Sequence, residues 1–276
     1  MRTLLLLICL APSFALADEC RFTAQHDFDV DAAGLKTVAF ALGSSDVVLE
    51  GVPGLAKVEV RGRACASDHA WLANLGVDQQ RSGDRLTITP RQERQKGWSW
   101  FGSSYAYVNL RVRAPAALAA EIRASSGDAD VRNVAALSFD ASSGDLRVDT
   151  IAGPLTIEVS SGDVNGGDVG SVEVRSSSSG DISLRKVRGD VKVARTGSGD
   201  LQFDTVGGSV TIDKVGSGDV SARHVGRDVT IGAIGSGDVG VGDVGGDFTV
   251  RAKGSGDVHH DDVRGKVSLP RDRDDD

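Results

Sequence analysis

Helical patterning is almost missing from this 276-residue sequence. Apart from a short turn-like stretch at "PAALAAEI", apolar residues do not recur at the three- and four-residue spacing that gives a helix a buried face. That excludes the helical fold classes. Past the first residues, no apolar run approaches the roughly 20 needed to cross a bilayer as a helix, so no transmembrane segment is expected. Basic residues are outnumbered, 31 against 39 acidic, for a formal charge of −8. This argues against a nucleic-acid partner and against charge-driven adhesion to anionic lipid. The chain has 3 Cys, 1 Met and 6 Pro, and aromatics make up 5%.

What is present at the start is "MRTLLLLICLAPSFALA": Arg2, an apolar run from Leu4 to Leu10, and a small-x-small ending at Ala15-Leu16-Ala17. It reads as a secretory signal peptide, residues 1–17, cleaved before Asp18. The mature chain is then expected to be exported, to the periplasm or to the cell surface. Asp18 and Glu19 separate the small residues from Cys20, which argues against a lipid anchor. Cys9 leaves with the leader, so Cys20 and Cys65 remain as a pair in an oxidising compartment, and a disulfide is expected between them. Two isolated cysteines without nearby histidines make no zinc site.

The dominant feature is a repeat. Ser-Gly-Asp recurs with its Asp at Asp128, Asp145, Asp163, Asp181, Asp200, Asp219, Asp238 and Asp257, at intervals of 17 and 18 that settle to 19. With the Asp as position zero, apolar or small residues fall at +1 and +3, again near +6, and at +10 and +12, as in Leu201, Phe203, Val206, Val210 and Ile212. Alternation of period two means strands with one inward face, so each unit holds two short strands and two turns. A unit this short cannot bury its own apolar face and must stack on its neighbours. The fold class is therefore all-β: a parallel β-solenoid of about 19-residue coils, rising about 4.8 Å per coil. Degraded versions of the pattern, "SSDVVLEGVPGLAKVEVRG" among them, lead us to expect an irregular, disulfide-stapled β cap over residues 18–114. Regular coils follow over 115–270, and a polar tail over 271–276.

Three features could carry chemistry. The Asp column, Asp128 to Asp257, resembles half of a calcium-binding nonapeptide roll, which needs its turn motif on both sides of each coil. The alternative is a turn in which Gly supplies an unusual backbone angle and Ser and Asp bond to backbone N–H groups. Repulsion between stacked carboxylates, roughly 0.9 kcal/mol per pair in water, is smaller than the roughly 1.5–3 kcal/mol from a charge-assisted hydrogen bond. The turn reading therefore stands without metal, and calcium is the second choice. Next, "GWSWFGSSYAY" gathers Trp98, Trp100, Phe101, Tyr105 and Tyr107 in a Gly- and Ser-containing stretch. These rings either close the end of the solenoid or contact a partner. Third, "HHDD", from His259 to Asp262, looks like a metal set, but adjacent strand residues face opposite ways. Acids and serines follow the repeat, and His224 stands alone, so no Ser-His-Asp set can be nominated.

The runs "ASSGDADVRNV", "ASSGDLRVDTIAGPLTIEVSSGDV" and "SSSSGDISLRKVRGDVKVARTGSGDL" resemble a bacterial β-strand-repeat family of unknown function whose members carry an adhesin label, related to the head domains of autotransporter adhesins. The resemblance covers most of the mature chain and implies a solenoid. It brings no catalytic residues. The expected function is a non-enzymatic, adhesin-like or envelope-associated scaffold with a protein or glycan partner. The alternatives are a calcium-binding repeat roll and a polysaccharide-active β-helix enzyme.

Overall fold

A computed structural model describes residues 20–92 and 105–271. The expected leader, Trp98, Trp100, Phe101 and the tail beyond Arg271 lie outside the described residues. The protein is a parallel β-solenoid of about 8 turns with 67% strand. Its N-terminal strands are β1 (Phe22–Asp31), β2 (Thr37–Gly43), β3 (Val47–Val52), β4 (Lys57–Ala66), β5 (Leu75–Ser82), β6 (Arg85–Gln92) and β7 (Ala106–Pro115), with one helical turn, α1 (His69–Leu72), before β5. The repeats comprise β8 (Ala119–Ala124), β9 (Ala129–Val134), β10 (Ala136–Ala141), β11 (Leu146–Val159), β12 (Val164–Ser177), β13 (Ile182–Val187), β14 (Val191–Thr196) and β15 (Leu201–Val206). They continue through β16 (Val210–Val215), β17 (Val220–Val225), β18 (Val229–Ile234), β19 (Val239–Val244), β20 (Phe248–Lys253), β21 (Val258–Val263) and β22 (Val267–Ser268).

Two walls face each other across one core. The first stacks β7, β3, β9, the leading halves of β11 and β12, then β13, β15, β17, β19 and β21, all parallel. The second stacks β6, β2, β8, β10, the trailing halves of β11 and β12, then β14, β16, β18, β20 and β22. Spatial and chain order differ at the start: the β2–β3 coil lies between the β6–β7 coil and the β8–β9 coil. Antiparallel strands then cover that end, with β4 on β7, β1 on β4 and β5 on β6. A parallel stack that would otherwise end in an open edge is closed by strands of opposite direction.

A bridge reinforces the interleaved order. Arg85 of β6 donates to both oxygens of Glu121 of β8, at 2.6 and 2.5 Å, reaching over β2. Beneath it Ala39, paired with Thr87 on one side and Glu121 on the other, is only 5% exposed. The hydrogen bonds from Arg85 hold the Glu121 carboxyl below its ordinary value against the opposing effect of burial. A depressed folded-state pKa means that the bridge stabilises at neutral pH and that this contribution is lost as pH falls through the carboxylate range. Both side chains are a little over one-third exposed, 38% and 36%, so solvent screening keeps the effect to about 1 kcal/mol or less. Glu121→Gln should therefore lower the urea midpoint at pH 7, and the gap from the parent should close in acid. A gap that persists unchanged at pH 3 would disconnect it from ionisation.

Inside, the columns read off the sequence are filled: Leu201, Phe203, Val206, Val210 and Ile212 are each at most 1% exposed. A further column at +15 continues with Thr196, Val215 and Ile234. Between +3 and +6 both intervening side chains point outward, and the chain turns back in through a left-handed residue at +5. Asn133, Thr150, Asp168, Lys186, Thr205, His224, Asp243 and Asp262 all take φ of 50–61° there. Each costs on the order of 1 kcal/mol relative to right-handed backbone, offset by returning +6 to the core.

The Ser-Gly-Asp glycines serve another purpose than the one expected of them. Their backbone is not left-handed; the left-handed corner is elsewhere and uses no glycine. They stack on one another, and a Cβ on Gly218 would lie 2.0 Å from the Gly199 carbonyl oxygen. Close approach between coils, not backbone angle, demands glycine.

Candidate functional site

The Asp column is a ladder of side chain to backbone bonds. Asp128 Oδ1 accepts the N–H of Asp145, Asp145 that of Asp163, and so on to Asp238, which accepts from Asp257, all at 2.8–2.9 Å. Sequence reasoning missed its first member: Asp46 accepts the N–H of Asp128 at 3.0 Å. It also missed a second ladder at the opposite turn. Asp190 accepts from Ser209, Asp228 from Asp247 and Asp247 from Lys266, at 2.8–2.9 Å. The signal was available, because each of these Asp residues directly precedes the inward residue at +10 as the repeat Asp precedes +1. In both ladders one carboxylate oxygen is engaged by the next coil. Among the described residues, no group of three or more His, Cys, Asp or Glu side chains is placed to hold a metal.

At the far end, the register sets His260 in the inward column of Val241 and His259 beside outward Gly240. The His260 ring packs against Phe248, centroids 6.1 Å apart at 60°. The "HHDD" run thus divides between the end of the core and the outer surface.

The capped end gathers the described aromatics of the second candidate. Tyr107 sits opposite Cys65 in the β4–β7 pairing, and its ring lies 6.1 Å from that of Tyr105. The backbone N–H of Arg21 donates to the Tyr105 hydroxyl at 3.2 Å, and Phe22 meets His69 edge-on at 5.7 Å. Cys20 and Cys65 are joined, with Cα atoms 5.5 Å apart, and tie the start of β1 to the end of β4. Closing 45 residues of chain in this way restricts the unfolded state by about 4 kcal/mol in the chain-entropy model.

A family model described as Toastrack DUF4097 matches residues 57–243, from β4 into β19. The chain belongs to the Toastrack family. The Toastrack match takes in the β6–β7 and β8–β9 coils and most of the regular ladder, while the β2–β3 coil between them precedes it in the chain. Among solved structures, a Parabacteroides distasonis protein described as a candidate lipid-binding protein has a TM-score of 0.51 at 14% identity, over 90% of this chain and 97% of its own. A candidate adhesin from the same organism has a TM-score of 0.47 at 13% identity, with coverages of 90% and 97%. Another, from Bacteroides fragilis, has 0.45 at 12%, with coverages of 91% and 98%. At such identities the likeness concerns the fold, and of these three only the first reaches a score that supports even that. No curated protein matches the chain.

Proposed function

We propose that this Toastrack protein is an exported, non-enzymatic interaction scaffold of adhesin-like type, which meets a protein or glycan partner through its capped end. The observation that carries this reading is where the aromatics converge. Tyr105, Tyr107 and Phe22 cluster around the Cys20–Cys65 bond, and Trp98, Trp100 and Phe101 precede Tyr105 by a few residues in the sequence. Aromatic rings beside a rigid, disulfide-tied sheet supply large contact area at small entropic cost. The repeated carboxylates, by contrast, hold the coils together. The leader expected from the sequence and the cysteine pair support export, to the periplasm or to the cell surface.

The triple substitution Trp98→Ala, Trp100→Ala, Phe101→Ala tests this on the full mature chain. Binding to cells and to arrayed glycans should fall at least about tenfold, with the melting temperature unchanged. Binding that survives at full strength would remove these three residues from the contact.

A calcium role for the repeat column has its own test. With one oxygen of each Asp engaged by the next N–H, the column is a ladder that needs no ion. Calcium and EDTA should leave the melting temperature where it is. Asp219→Ala, which strips the Asp238 N–H of its acceptor, should cost about 1 kcal/mol or more, and Asp219→Asn, which keeps an acceptor, much less. A calcium-dependent rise in Tm would make the column an ion site.

A further inference from the structure

The outer surface of the first wall carries an ordered row of charge with one notable gap. Along the +4 row, consecutive coils present Arg113, Glu50, Arg132 and Asp149, then Gly167, then Arg185, Asp204 and Arg223. Opposite signs on adjacent strands attract across the sheet. Gly167 leaves a tooth out of the row between Asp149 and Arg185. Its neighbour Gly166, at φ +146°, also lacks a side chain where the coils on either side carry Val148 and Leu184. The result is an open cleft of about 470 Å³ with Val148, Gly166 and Gly167 as its floor.

The cleft's rim is unevenly paired. Arg132 is held by both oxygens of Asp130, at 3.0 and 2.7 Å. Asp168 is taken up by Lys186 at 2.9 Å and by Arg188. Arg147 and Arg185, however, have no hydrogen-bond or ion-pair partner among the described residues. They stand diagonally across Asn165 and Gly167, their Cα atoms about 12 Å apart from strand geometry, so that both side chains reach over the floor. Asn165 adds an amide that both donates and accepts, and Asp149 adds an acceptor oxygen beside the Thr150 hydroxyl that it already binds.

We propose that this cleft binds the carboxylate of an acidic sugar, a uronate unit of an oligosaccharide, clamped between Arg147 and Arg185. A guanidinium presents parallel donors that match a planar carboxylate. The volume lies in the range of small-ligand sites, and the walls offer acceptors and donors for ring hydroxyls alongside apolar side-chain stems that the C–H face of a sugar ring can meet. Three carboxylates on the rim, Asp130, Asp149 and Asp168, disfavour a compact dianion such as phosphate more than a singly charged carboxylate, and a sugar hydroxyl can donate to the second oxygen of Asp149, whose first accepts from Thr150. The cleft is on the first wall, away from the capped end, and the proposal stands whether or not that end binds anything.

Titration of the labelled full mature chain with trigalacturonate, followed by NMR, tests it. The expected result is saturable shifts of the 165–168 amides and of the Arg147 and Arg185 side-chain signals, none with neutral galactotriose, and none with inorganic phosphate at equal concentration. Arg147→Gln with Arg185→Gln should weaken binding at least about tenfold at an unchanged melting temperature, since both side chains are free of internal partners. Absence of shifts at 165–168, equal binding by the double variant, or phosphate binding as tightly at the same residues would each overturn the proposal.

Discussion

Gly218→Ala is expected to disrupt the middle of the solenoid, while Gly240→Ala should be tolerated. A Cβ at Gly218 would sit 2.0 Å from the Gly199 carbonyl oxygen and 2.6 Å from its carbonyl carbon, both backbone atoms of the adjacent coil. No rotamer relieves a clash between Cβ and backbone, so the coils must separate locally. Separation would also stretch the Asp219 N–H to Asp200 bond, now 2.8 Å. A loss of about 3 kcal/mol or more is expected, at the upper end of overpacking effects. Gly240 faces open space, with nothing within 4 Å of a built Cβ. There alanine removes only the excess freedom of glycine and should be neutral, or stabilising by up to about 1 kcal/mol. Urea unfolding of the two variants separates the cases, and hydrogen exchange should show lost protection confined to the coils flanking residue 218. Equal behaviour of the two would mean that stacking contact is not the reason for glycine in the repeat.

Phe203→Ala should be comparably damaging, by a different mechanism. Phe203 is 0% exposed, and its column neighbours are Leu184 on one side and Ala222 on the other. A large ring thus lies beside a small methyl, and truncation leaves a cavity that two stiff walls cannot close. The expected cost is about 3–5 kcal/mol. The size pairing makes a sharper claim: Ala222→Leu alone should destabilise by overpacking, about 1–3 kcal/mol, yet recover part of the loss in the Phe203→Ala background. A double-mutant cycle by urea unfolding measures that coupling, and simple additivity would refute volume sharing between coils.

How far the sequence could be read varies by position. The columns at +1, +3, +6, +10 and +12 were legible because alternation and a constant period leave one inward face, and Val220, Val225, Val229 and Ile231 are all at most 2% exposed. The left-handed corner was not. Its occupants, from Asn133 to Asp262, include Asn, Asp and His, which tolerate that backbone, but also Thr150, Lys186 and Thr205, so no single residue type marks the position. The second ladder was half visible: Asp190, Asp228 and Asp247 recur in turns whose other residues differ.

The candidate sites divide in the same way. Tyr105, Tyr107, Cys20 and Cys65 stood out by residue type, but their meeting at one end depends on antiparallel β4 pairing with both β1 and β7. Arg147 and Arg185 belong to different repeats and look like ordinary outward residues in each. Only stacking sets them across Gly167, and only the absence of side chains there opens the cleft.

By itself, the sequence determined the solenoid, its period and its core columns, since a 19-residue unit with two alternating strands has no other way to bury its apolar face. Tertiary structure alone decided that β2–β3 lies between β6–β7 and β8–β9. One coil edge offers much the same hydrogen-bonding pattern as the next. The order rests on the fit between particular coils, which contacts such as the Arg85–Glu121 bridge over Ala39 reinforce and no local pattern encodes.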